Sequence, residues 1–226
     1  MSAMVLKDVL APHLLGQLRA LLAAELFSAG AESASGEARR VKNNQQLSEH
    51  SHPVGAECAD LVASALHANL VLRNLAVPAR MTRPLFNLYQ AGMSYGAHTD
   101  AALMDSPGGP LRADLSMTIF LSEPSEYDGG ELVSSATDGT VRTVKLEAGD
   151  AVLYPAGTLH EVRPVTRGSR MASIVWIQSA VPEREQRDLL LELDRARRAL
   201  EDGSVAEVRQ RMILVRENLV RLWARP

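Results

Sequence analysis

The chain has 226 residues, 46% of them hydrophobic and 23% charged, which suits one sizeable core or one core with a small appended unit. Its formal net charge of −3, with no large block of one sign, argues against a dedicated nucleic-acid binder, which presents a basic face. The richest apolar stretch, residues 14–26, is broken by Gln17, Arg19 and Glu25 and is too short and polar to cross a bilayer.

In chain order, residues 1–10 lack the basic-then-apolar pattern of a secretory leader. Leu14, Leu15, Leu18, Leu21, Leu22 and Leu26 have helical spacing, with Gly30 as a stop. Residues 29–37 are small and polar, so a loop is expected. The polar run Arg40-Val-Lys-Asn-Asn-Gln-Gln-Leu47 reads first as a solvated edge strand or loop, and second as a row of amides lining a pocket. Residues 56–75 again have helical periodicity. Cys58 is the only cysteine, so no intrachain disulfide forms; a small buried apolar role and a reducing, cytoplasmic setting are expected. His50, His52 and His67 have no partner at ligand spacing and are assigned structural or exposed roles. Up to residue 80 the sequence supplies a helical support layer.

Beyond residue 80 the character changes. Strands are expected at 84–90, 115–121, 131–134, 141–146, 151–154, 159–165 and 170–178, with the last two joined by a turn at Thr166-Arg-Gly-Ser169. Residues 105–110 and 123–130 read as turns or loops, as does Asp138-Gly139. About eight short strands within roughly a hundred residues, without βαβ alternation, indicate an all-β sandwich or barrel. The tail is helical. Leu189, Leu193, Ala196 and Leu200 are followed by a heptad through Val205, Val208, Met212, Val215, Leu219 and Leu222, and Ser204 with Glu207 forms a capping box. A helical hairpin follows, packed internally or on the β core, with a dimer interface as the sharper alternative.

The stretch Tyr95-Gly-Ala-His-Thr-Asp100 carries the first chemistry. His98 and Asp100, two apart on an extended segment, project from one face, and an imidazole with a carboxylate suits a divalent metal such as Fe(II). Adding His160 gives two histidines and one carboxylate, the facial set of non-haem Fe(II) oxygenases, which leaves positions open for co-substrate and O2. Arg170 offers a guanidinium fork for an anionic co-substrate; a salt bridge to a nearby acid is its ordinary alternative. Trp176, on the same strand face, is equally suited to a pocket wall and to core filling.

The pattern Tyr89…Tyr95-x-x-His98-x-Asp100…His160…Arg170…Trp176 resembles the iron- and 2-oxoglutarate-dependent dioxygenases of the prolyl-4-hydroxylase-like type. It is closer still to the bacterial PKHD-type hydroxylases through Lys42-Asn-Asn-Gln-Gln-Leu47, Arg112-Ala-Asp-Leu-Ser116, Tyr127-Asp-Gly-Gly-Glu-Leu132, Ala148-Gly-Asp150, Leu153-Tyr-Pro155 and Trp176-Ile-Gln-Ser179. The segment Leu26-Phe-Ser-Ala-Gly30 departs from the Trp-Asp-Gly expected there. The resemblance implies a mainly β chain with flanking helices: a double-stranded β-helix (jelly roll), an N-terminal helical support layer and a C-terminal helical hairpin. As domains it implies residues 1–180 as the dioxygenase unit, with its core at about 80–180, and 181–226 as the hairpin. It also implies Fe(II) on His98, Asp100 and His160, Arg170 on the distal carboxylate of 2-oxoglutarate, and Tyr89, Tyr95 and Trp176 about the co-substrate. The reaction would couple O2 and 2-oxoglutarate, with L-ascorbate as reductant, to hydroxylation of a C–H bond, releasing succinate and CO2. Asp100 favours hydroxylation over halogenation, because a halogenase would have a small residue there. A polar small-molecule or peptide substrate is implied, with no nucleic acid or membrane partner, and a homodimer through the C-terminal helices is the further expectation. The competing class is a non-catalytic sensor of metal or 2-oxoglutarate whose hairpin docks a partner.

Overall fold

The structure, a computed structural model, describes residues 3–34, 36–106, 108–135, 139–199 and 206–225. Two antiparallel sheets face each other. In the larger, the order is Met4–Leu6, Ala151–Pro155, Leu115–Phe120, Val165–Ser179, Leu85–Gln90, Gln45–Leu47 and Ser28–Ala29, with Tyr127–Gly129 and Pro78–Met81 also paired to the long Val165–Ser179 strand. The smaller runs Val141–Val144, Leu132–Ser135, Leu159–Val162, Ser94–His98 and Lys42–Asn43. This is the expected jelly-roll arrangement.

Side-chain alternation along the large sheet explains the layering. On Leu115–Phe120, Leu115, Met117 and Ile119 point into the main hydrophobic core, while Ser116 and Thr118 line the space between the sheets. Leu85–Gln90 repeats this, with Phe86 and Leu88 on the core side and Asn87 and Tyr89 on the other. On the long strand, Val175 and Ile177 face the core, and Arg170, Ile174 and Trp176 face the interior. The core face is covered by helices Pro12–Leu21, Pro53–Ala68 and Leu70–Ala76, which contribute Leu18, Cys58, Val62, Leu66, Leu72 and Leu75. One sheet face is therefore a dry core and the other the wall of a cavity.

Several expectations are corrected. The first helix stops at Leu21, and a short 3-10 turn spans Ala24–Leu26. The helix expected over 56–75 divides at Asn69, which ends Pro53–Ala68 and, through Oδ1 accepting from the Leu72 amide at 2.9 Å, starts Leu70–Ala76. The segment before residue 80 is not helical support alone, since it also adds four strands of two or three residues to the two sheets. Residues 166–169 do not turn; Val165–Ser179 is one strand. Gly168 serves close approach instead, with φ of 72° and a Cβ position 2.0 Å from the Glu126 carbonyl oxygen. Only glycine fits where Tyr127–Gly129 crosses the long strand.

The C-terminal helices Arg184–Ala199 and Ala206–Trp223 pack on each other and on Leu70–Ala76. Leu191 joins the main core, and Arg216 donates to the Asn74 carbonyl at 3.1 Å. Of the heptad, Met212 and Leu219 are half-buried, whereas Val208, Val215 and Leu222 are exposed. Leu200, the Ser204 of the capping box, the heptad's Val205 and Asp138 lie outside the described residues. No helix among the described residues is long and apolar enough to cross a membrane.

Candidate active site

His98 closes the Ser94–His98 strand and pairs directly with His160 on Leu159–Val162. That cross-strand register puts the two rings 4.3 Å apart. Each ring is oriented the same way. His98 Nδ1 lies 2.8 Å from the Gly96 carbonyl oxygen and His160 Nδ1 2.9 Å from that of Thr158. A carbonyl only accepts, so Nδ1–H donates and both Nε2 lone pairs are left free to ligate. Asp100 lies just past the strand end rather than on it, yet it converges: its Oδ1 is 3.8 Å from His160 Nε2. One ligand atom from each of His98, Asp100 and His160 lies within 4.8 Å of the others, so the three could hold a metal ion.

The environment fits a cation. Asp100 Oδ2 is buried without a hydrogen-bond partner, a costly state for a carboxylate unless a positive charge meets it. Burial, with His160 adding to it, lowers His98 to about 4 from its ordinary 6.5. A neutral imidazole is the form that ligates, so His98 stays competent far into the acid range. The same shift has a stability consequence. Between 6.5 and about 4 the unfolded chain binds the His98 proton and the folded chain does not, so stability is full above 6.5 and falls as the pH drops towards 4. Urea unfolding of the metal-free protein across that range should show this slope, and His98→Gln should flatten it.

Tyr95 stacks on His98, with ring centroids 3.5 Å apart and planes 16° apart. Tyr154 meets His160 edge-on at 5.2 Å. Deeper in, Arg170 is paired in register with Tyr89, is 1% exposed, and lies 5.2 Å from the centroids of the Tyr89 and Phe120 rings. Its Nε and Nη2 are buried without partners, and no described carboxylate forms an ion pair with it. The salt-bridge alternative is thereby removed, and a buried guanidinium with free donors calls for an anion from outside. Gly130 (φ 66°) keeps this corner open: a Cβ there would lie 3.0 Å from the Tyr127 ring and 3.1 Å from Arg170 Cδ.

All seven sequence candidates, His98, Asp100, His160, Arg170, Tyr89, Tyr95 and Trp176, line one cavity of about 1190 Å³. Trp176 faces the cavity and is not core filler, and its Nε1 is buried without a partner. The sequence reading missed Ser116, Thr118, Asn87 and Tyr154, which line the same space. The polar–apolar alternation Leu-Ser-Met-Thr-Ile119 was the available signal. The run from Lys42 divides between its two readings. Lys42–Asn43 is the edge strand of the smaller sheet, with Asn43 exposed, whereas Asn44 and Gln46 are buried and both donate to Asn87 Oδ1, at 3.3 and 2.6 Å, with Gln46 lining the cavity.

The sequence and the fold are both similar to those of known proteins. Residues 84–178 match the family model of the 2OG-Fe(II) oxygenase superfamily. The chain is 43% identical over 221 residues to a PKHD-type hydroxylase of Burkholderia ambifaria, covering 96% of each chain. It is 47% identical over 203 residues to one of Saccharophagus degradans, covering 88% of this chain and 86% of the relative. In fold it is similar to a Pseudomonas putida prolyl-4-hydroxylase (TM-score 0.54, 20% identity, 78% of this chain and 92% of the other). It is also similar to the carbocyclase SnoK of nogalamycin biosynthesis (TM-score 0.56, 18% identity, 83% and 85%). The chain belongs to the PKHD-type hydroxylases and is an Fe(II)- and 2-oxoglutarate-dependent dioxygenase.

Proposed function

We propose that His98, Asp100 and His160 are the iron ligands, that Arg170 receives the distal carboxylate of 2-oxoglutarate, and that a polar small molecule or peptide is hydroxylated at the cavity's open side. The observation that carries this is the pairing of two unsatisfied buried groups in one cavity, the free Asp100 Oδ2 and the free Arg170 donors. When bound, iron with 2-oxoglutarate and O2 supplies the oxidising power for C–H hydroxylation, with succinate and CO2 as co-products. The chain's own residues do the rest. The Gly96 and Thr158 carbonyls fix the ligand tautomers, and Tyr95 and Tyr154 pack the imidazoles against rotation. The Tyr89 and Phe120 rings hold the guanidinium in a dry slot, where an anion is bound more strongly than in water. Trp176 Nε1 gives a further buried donor towards the co-substrate.

The unit is read as residues 1–180, core about 80–180, with 181–226 as an appended hairpin. A cytoplasmic setting, supported by the single buried Cys58, and L-ascorbate as reductant complete the reading. A homodimer through the hairpin is supported by the exposed Val208, Leu214, Val215 and Leu222 on one helix. The test is succinate release by the purified protein given Fe(II), 2-oxoglutarate and O2. Succinate formed in step with 2-oxoglutarate loss is expected. Absence of both turnover and 2-oxoglutarate binding would refute the reading.

A further inference from the structure

Three cations line the cavity: Arg170, Arg83 and Lys42. Arg170 lies deep and serves the co-substrate in the reading above. Arg83 is occupied, bonded to Glu49 at 2.7 Å and to Asp60. Lys42 has no carboxylate partner among the described residues. Its Nζ donates to the Ser33 hydroxyl at 2.8 Å and lies 5.2 Å from the Tyr95 ring centroid. Of the acids lining the cavity, Glu37 pairs with Arg40 and Glu49 with Arg83, while Asp100 acts on Lys42 only through space, raising it without an ion pair.

Its position is set by two sheets' worth of hydrogen bonds. Lys42 is in register with Tyr95, and Tyr95 in turn stacks on His98, so the ammonium stands one ring layer from a proposed iron ligand. Behind it, Ser33 donates to Gln46, and Gln46 donates to Asn87. That chain of neutral groups holds the wall in one arrangement without neutralising the charge. Burial already works against the ammonium, lowering it to about 8, which an arriving anion would reverse.

We propose that Lys42 is the specificity-determining residue for the primary substrate, and that this substrate carries a carboxylate which Lys42 binds while a C–H bond a few atoms away faces the metal. This rests on the site reading given above. A single point charge beside neutral amides suits a monoanion, whereas a phosphate group would call for several cations or a cluster of backbone N–H groups.

The experiment uses the full chain loaded with Fe(II) and 2-oxoglutarate under nitrogen. The probes are N-acetyl amino acids and short carboxylic acids, each beside its neutral amide, with binding read by calorimetry. One acid at least should bind the wild type about tenfold or more tightly than its amide. Lys42→Met should erase that preference and Lys42→Arg should keep most of it, with 2-oxoglutarate affinity changed less than about threefold in each. The proposal is overturned by equal binding of every acid and amide to the wild type, or by a preference that survives Lys42→Met. It is equally overturned if Lys42→Met weakens 2-oxoglutarate as much as the acids, which would make Lys42 a co-substrate ligand. A wild type that takes up no 2-oxoglutarate would instead defeat the site reading itself, and the 2-oxoglutarate titration run alone separates the two failures.

Discussion

Arg170→Met should raise the KM for 2-oxoglutarate by about a hundredfold or more, because two charge-assisted hydrogen bonds are lost and each contributes roughly 1.5–3 kcal/mol. The same variant should unfold no more easily than the wild type in the absence of co-substrate. Arg170 is 1% exposed with Nε and Nη2 unpaired, so the free protein carries the desolvation of a charge that the neighbouring ring faces offset only in part. Methionine of similar reach, between the Tyr89 and Phe120 rings, removes that cost. Arg170→Lys keeps the charge but loses the fork, and its KM should fall between the two. Steady-state kinetics with urea unfolding of the same preparations checks both halves. A variant that loses stability and leaves KM untouched would mark Arg170 as a structural residue.

His160→Ala is expected to lower succinate release by more than about a hundredfold, beyond what the loss of an outer-sphere partner costs a metal site. The loss is to kcat, with the fold retained. His160 sits on the smaller sheet facing the cavity, and its side chain contributes to neither hydrophobic cluster. Asp100→Ala should behave likewise. A non-catalytic docking role for the chain would leave partner capture intact in both variants, and no succinate would have been formed by the wild type.

Much of this site was legible because its residues obey simple periodicity. His160 falls on an expected strand, His98 closes a segment read only as extended, and Arg170 and Trp176 share a face six residues apart. The resemblance to 2-oxoglutarate dioxygenases added roles to residues whose spacing could not assign them. What escaped was set by partners distant in sequence. Met4–Leu6, Ser28–Ala29, Lys42–Asn43 and Gln45–Leu47 are strands only because a sheet edge pairs with them, and two or three residues are too few to show alternation. Lys42 to Gln46 read as solvated because its amides find their partner, Asn87, 41 residues away from Gln46. Thr166-Arg-Gly-Ser169 has turn composition, yet Gly168 answers to the Glu126 carbonyl pressing on it and not to a reversal of the chain.

The most direct measurement is an anaerobic calorimetric titration of Fe(II) into the metal-free wild type and into His98→Ala, Asp100→Ala and His160→Ala. One iron per chain should bind the wild type, and each variant should bind at least about a hundredfold more weakly while keeping the wild-type unfolding midpoint above pH 6.5, where His98 is neutral in both states. Iron bound equally well by all four proteins would place the metal elsewhere and contradict the account.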